Sequence, residues 1–204
     1  MNKKKYGYSI VELLVTISMG TILLTALSQL IVQTFNSYRI GQQTLDEQFE
    51  ARLAIIRITD DLRSAYVIKQ YSGTQVDFCR YETADTSPTI GKYVSITLDT
   101  SAGSINRNES AIEEPNDPKA CTKATINPNT KSNTFSQYIK NNDAKPIFTN
   151  AKNSSGVSID TANSANFSNI SMFDISISAD VDPNGGAQEY KLSTTVQLRN
   201  KAPN

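Results

Sequence analysis

Apolar residues crowd one end of this chain and are spaced out along the rest. From Leu13 to Tyr38 no charged residue interrupts the sequence. Past Val32 no Gly/Pro turn ends the run. It passes instead into an amphipathic pattern with two stripes, Leu45, Phe49, Leu53, Ile56 and then Ile55, Ile58, Leu62, Ala65, at spacings of three and four. Charged residues, among them Asp46, Glu50, Arg57, Asp60, Asp61 and Arg63, occupy the remaining positions. The pattern predicts one helix from about Tyr8 to Ile68, about 90 Å long at 1.5 Å per residue. Residues 8–38 suit lipid or another apolar surrounding, and residues 39–68 suit packing on a folded head. Gly20 and Gly41 are its weak points, each costing about 1 kcal/mol relative to Ala.

The remainder, residues 69–204, reads as a β-rich head with long loops. Gln75 to Arg80 and Tyr93 to Leu98 are short strands by composition. Ile170 to Ala179 and Glu189 to Leu198 form a hairpin around Asp182-Pro183-Asn184-Gly185-Gly186. In its second strand Tyr190, Leu192, Thr194, Val196 and Leu198 alternate with polar residues, so one face meets a core. The polar stretch from Thr100 to Asn169 is too long for one structureless loop. One or two short strands are expected there, at Pro146 to Thr149 and Gly156 to Asp160. The fold class is therefore α+β, a long N-terminal helix packed against an antiparallel sheet.

Composition narrows the function. The chain has 204 residues, 38% apolar and 20% charged, with zero formal net charge. No Lys/Arg cluster appears beyond the first five residues, which leaves a nucleic-acid partner without support. There is no His, the common general base and metal ligand. No phosphate-cradling Gly loop, Ser/Lys pair or glycosidase-like carboxylate pair can be found by spacing. The expectation is a protein that is not an enzyme and needs no cofactor.

The N-terminus carries the sharpest signal. Lys3, Lys4 and Lys5 precede the apolar run, as in a secretory signal peptide that would be cut at Ala26-Leu27-Ser28, or in an uncleaved anchor. Either places the basic end in the cytoplasm. Neither explains Glu12, since a carboxylate at the centre of a membrane helix costs about 2.5–3.5 kcal/mol. A cut after Gly7 would explain it, because the new α-ammonium at Tyr8 would lie one helical turn from Glu12.

The string Lys5-Tyr6-Gly7-Tyr8-Ser9-Ile10-Val11-Glu12-Leu13-Leu14 resembles the class III signal of type IV prepilins and type II secretion pseudopilins. Ser37-Tyr38-Arg39 and Asp60-Asp61-Leu62-Arg63 are similar to the larger PilW-type minor pilins and J-type pseudopilins. The resemblance implies a pilin-like fold, a leader of residues 1–7 removed by prepilin peptidase between Gly7 and Tyr8, and N-methylation of Tyr8. It gives Glu12 the task of neutralising a neighbouring N-terminus during assembly. Tyr8 stands where Phe is commoner, and Gln29 stands where major pilins often carry Pro. The implied partners are other minor pilins, the major pilin, an inner-membrane assembly platform and, before assembly, membrane lipid. The implied location is a single pass through the inner membrane with a periplasmic head, then a pilus or pseudopilus. A membrane-anchored periplasmic binding or adhesive domain is the alternative.

Cys79 and Cys121 are the only cysteines, and their spacing is not a zinc pattern. In an oxidising compartment they would pair, closing a loop worth about 4 kcal/mol. Two buried free thiols are the alternative, and no His is present to activate a catalytic one. Asp180-Val181-Asp182-Pro183-Asn184-Gly185 imitates the opening of a calcium loop through Asp180, Asp182 and Asn184. Lys191 sits where that loop needs its bidentate Glu, and a hairpin turn accounts for the same residues. No metal is therefore expected.

Overall fold

The computed structural model describes residues 9–84, 87–111, 131–180 and 189–198. It has the α+β, pilin-like layout. Among the described residues one α-helix, α1 (Ile10–Arg63), precedes eight strands, and its second half packs against antiparallel sheets. The chain divides into two units, residues 1–43 and 44–204.

Within the first unit, α1 is apolar on all sides and exposed. Its hydroxyl side chains turn inward to their own backbone: Thr16 donates to the Leu13 carbonyl, Thr21 to Ser18, Thr25 to Thr21, Ser28 to Leu24 and Thr34 to Leu30. These hydroxyls are thus satisfied without water, as polar groups in an apolar medium must be.

Within the second unit, α1 buries Ala51, Ala54, Ile58 and Leu62 against the head. A five-stranded antiparallel sheet runs in chain order through β1 (Ala65–Tyr71), β2 (Gln75–Ala84), β3 (Ser87–Asp99), β4 (Ser104–Ala111) and β5 (Lys131–Ser136). A separate three-stranded sheet holds β6 (Phe148–Lys152), β7 (Met172–Asp180) and β8 (Glu189–Gln197). A short 3-10 helix, Ser164–Asn169, precedes β7. Val76, Phe78, Val94 and Ile96 from the larger sheet share one core with Phe148, Phe173, Ile175 and Ile177 from the smaller. Phe173 joins the two, stacked on Tyr71 at 5.5 Å and edge-on to Phe148 at 6.5 Å. Arg52 ties the helix to β8, donating from Nε and Nη2 to the Tyr190 hydroxyl at 3.2 and 3.1 Å. Gly73 is required at the β1–β2 turn, where a Cβ would come within 2.6 Å of Pro146 Cβ.

Several expectations change. The helix ends at Arg63, not near Ile68. The Ser64 hydroxyl donates back to the Asp61 carbonyl at 2.7 Å, and the run Ala65-Tyr66-Val67-Ile68 then takes the extended form that β-branched and aromatic residues favour. Only one of the two stripes on α1 faces the head: Leu45, Phe49 and Ile56 are 65, 60 and 53% exposed. The described residues form two sheets where one was expected, and among them three strands, β4, β5 and β6, lie in the polar stretch. Strand β6 starts at Phe148, beyond Pro146, which lacks the N–H that a ladder needs. The segment 156–160 is not a strand. Gly156 sits at φ +79°, and the Asn153 side chain accepts from the Ser155 and Val157 amides at 2.9 Å, closing a turn. The hairpin is present, with Met172 to Asp180 paired to Gln197 to Glu189.

Candidate functional site

Two features of the chain bear on function: the apolar helix with its single early carboxylate, and the charged seam where the same helix ends on the head. The helix starts where the Ser9 carbonyl accepts from the Glu12 and Leu13 amides at 3.0 and 3.2 Å. Glu12 therefore lies in the first turn, where the helix dipole favours an anion. Ser9 and Glu12 also have the S-x-x-E spacing of a capping box, a helix-start signal present in the sequence. From Leu13 to Tyr38 the uncharged length is about 39 Å, against a hydrocarbon thickness of about 30 Å. Among the described residues this is the one helix long and apolar enough to cross a membrane.

At the other end of α1, Asp61 is buried and accepts from Arg107 Nε at 2.6 Å and Arg80 Nη1 at 3.2 Å. Glu109 accepts from Lys92 at 2.6 Å, Arg107 at 2.5 Å and Arg80 at 3.2 Å. Burial alone would push the Glu109 carboxyl up. The hydrogen bonds from Lys92 and Arg107 and the nearby arginine charges outweigh it and hold it at about 2. Burial likewise opposes the charge on Arg107, and its bonds to Asp61 and Glu109 raise its pKa instead. Beside this seam Arg57 lies 5.8 Å from the Phe135 ring centroid. The arrangement fastens the helix end to β2, β3 and β4, with Asp61 held by two cations and Glu109 by three.

The other residues singled out by sequence fall as follows. Cys79 is fully buried on β2 and disulfide-bonded, while Cys121 lies outside the described residues. Asp180 closes β7 opposite Glu189, as a hairpin strand end. Asp182 and Asn184 lie outside the described residues, as do Gly7 and Tyr8. Among the described residues no group of three or more His, Cys, Asp or Glu could hold a metal ion. Sequence reasoning missed the Asp61–Arg107–Glu109 seam. Its available signal was Arg107-x-Glu109, opposite charges two apart in a strand and so on one face.

A buried carboxylate on the larger sheet also went unnoticed. Asp77 accepts from the Tyr93 hydroxyl at 2.9 Å, the Ser95 hydroxyl at 2.5 Å and the Gln75 amide at 3.0 Å. It lies two residues from Cys79 on the same side of β2, and its surroundings push the Tyr93 hydroxyl pKa up, through burial first and the Asp77 charge second. No protein-family model matches the chain, and no curated protein matches it.

Proposed function

We propose that the chain is a minor pilin, a non-catalytic subunit that helps initiate or cap a type IV pilus after leader cleavage. The observation that carries this reading is the run from Lys3 to Glu12. A basic start, a glycine, an aromatic residue and a glutamate four positions later lead into a helix whose apolar residues have no protein cover along the first unit. Prepilin peptidase would cut between Gly7 and Tyr8. The Tyr8 ammonium of an incoming subunit and the Glu12 carboxylate of a docked one would then neutralise each other in low dielectric, which sets the register between helices.

Before assembly the helix would span the inner membrane once, basic end inside and head in the periplasm. During assembly, contacts with the major pilin and other minor pilins would replace lipid, with an inner-membrane platform driving extraction. Leu45, Phe49 and Ile56 support this reading, because together they leave an apolar strip on the head-bound half that a neighbouring subunit would cover.

Deleting the gene and scoring surface pili, secretion and DNA uptake separately tests the proposal. Loss of surface pili, restored by the wild-type chain and not by Glu12→Val, is the expected result. Full restoration by Glu12→Val, or a deletion that leaves pili intact, would overturn it.

A further inference from the structure

Among the described residues β1 and β5 are the edges of the larger sheet, and β6 and β8 those of the smaller. An edge left open is a template for another chain. Three of these edges are blunted. Strand β1 has two irregularities in its register, and the 3-10 helix Ser164–Asn169 packs against it. In β5, six residues long, Phe135 is the extra residue of a bulge, and its carbonyl accepts from Arg57 Nη1 at 3.5 Å. Strand β6 is five residues long and its outer side is taken. The Phe148 amide donates to the Gly73 carbonyl at 3.1 Å, and the Ala151 carbonyl accepts from the Ile159 amide at 2.8 Å.

Strand β8 lacks bulge, proline and cover. It is nine residues long and pairs with β7 in one unbroken register, from Glu189 opposite Asp180 to Gln197 opposite Met172. Its charges, Glu189 and Lys191, stand at its start, and Leu192 to Gln197 is uncharged. The Leu198 amide donates to the Ser171 carbonyl at 2.9 Å, so by the alternation of an antiparallel ladder the backbone groups of Tyr190, Leu192, Thr194 and Val196 face β7. Those of Glu189, Lys191, Ser193, Thr195 and Gln197 face away from it. These residues are all exposed, and among the described residues no backbone group pairs with theirs. On the core side Tyr190 and Leu192 are only partly buried, at the rim.

A row of backbone donors and acceptors is matched along its length by an extended chain. Apolar side chains at alternate positions of that chain would complete the rim at Tyr190 and Leu192. A second copy pairing β8 to β8 antiparallel would do so about a twofold axis perpendicular to the sheet. Because α1 lies along the inner side of the head, meeting β8 through Arg52 and β4 through Asp61, that axis would point the two α1 helices in opposite directions. Helices anchored in one membrane cannot be arranged so. We infer that β8 is a docking edge for an extended segment of a different polypeptide, which adds as a strand to the smaller sheet. The open edge stands without the pilin reading; only the exclusion of a second copy uses the membrane anchor.

The full-length chain in detergent, titrated with a labelled peptide of the sequence Glu189–Gln197 and followed by fluorescence anisotropy, tests it. That peptide, free of an anchor, can lie antiparallel to β8 with Ser193 opposite Ser193, Lys191 opposite Thr195 and Glu189 opposite Gln197, so that no like charges meet. Saturable binding is expected, with slowed hydrogen exchange at the Lys191, Ser193 and Thr195 amides. Ser193→Pro in the chain removes an outward N–H and leaves the ladder to β7 in place. It should weaken binding at least about tenfold, while Ser193→Ala should keep it. The peptide carrying Ser193→Pro should bind the unaltered chain as weakly, a result that does not depend on how the chain variant folds. Sedimentation of the chain without peptide should show a monomer. No saturable binding, full affinity of the peptide carrying Ser193→Pro, or unchanged exchange at those amides would overturn the docking edge. A dimer that Ser193→Pro abolishes would overturn the assignment to a different polypeptide.

Discussion

The two halves of α1 are built from the same helical geometry and solve opposite problems. Along the first half every side is apolar, and the polar side chains Thr16, Thr21, Thr25, Ser28 and Thr34 bond to the helix's own carbonyls. Nothing in that half specifies a direction, which suits a surrounding that is apolar all round. The second half has a defined inner side. Ala51 and Ala54 are small enough to bring the backbone close to the sheets, Ile58 and Leu62 fill the core, and Asp61 meets Arg80 and Arg107. The difference shows that the side opposite the head, where Leu45, Phe49 and Ile56 stand, stays apolar without any contribution to the head's own core.

The sharpest way to break this contrast is to remove the cation at its lower end. Arg107→Ala leaves the buried Asp61 with Arg80 as its one remaining cation, which Glu109 shares, and is expected to cost about 3–5 kcal/mol in denaturant unfolding of the detergent-solubilised chain. Leu24→Ala, on the first half, should move the same transition by less than about 0.5 kcal/mol.

Next in size is the comparison of the two stripes. Ile58→Ala opens a cavity in the core and should cost about 3 kcal/mol, whereas Leu45→Ala, at an exposed position, should lie within about 0.5 kcal/mol of the parent. Equal costs would show that both stripes are packed.

Acidification probes the same seam without a substitution. Glu109 titrates at about 2 in the folded head against an ordinary 4.5, so the unfolded chain takes up this proton at higher pH. The stability it contributes is fully present above pH 4.5 and is lost as pH falls through that window towards 2. Glu109→Gln should be less stable at pH 7 and lose less between those two values. A parent and variant that decline in parallel would contradict this account of the seam.

Periodicity made much of this fold readable in advance. The apolar run, the terminal hairpin and the strands at Gln75 and Tyr93 follow from spacing and composition alone. Strand β4 does not, because its inner face is Ile105, Arg107 and Glu109, and the partners that make two charges tolerable there come from α1, β2 and β3. The helix end was hidden for a related reason: Leu62, Ala65 and Ile68 continue the three-and-four spacing, and the Ser64 back-bond that stops the helix is a local competition no periodicity reports. Nor could two equivalent stripes on α1 say which one meets the head. The alanines at 51 and 54 decide it, through close approach. At the candidate site the Glu12 signal was legible because an isolated carboxylate beside an uncharged run is conspicuous. The Asp77 cluster was not, since Tyr93 and Ser95 reach it only once β2 and β3 are paired.

The central claim is that Glu12 answers an amino terminus made at Tyr8. Intact-mass and N-terminal peptide mass spectrometry of the membrane-extracted chain, produced with and without prepilin peptidase, tests it most directly. A chain that begins at Tyr8 with one added methyl group, and only when the peptidase is present, is the result this account requires. A chain that begins at Met1 or at Gln29 whether or not the peptidase is present would contradict it.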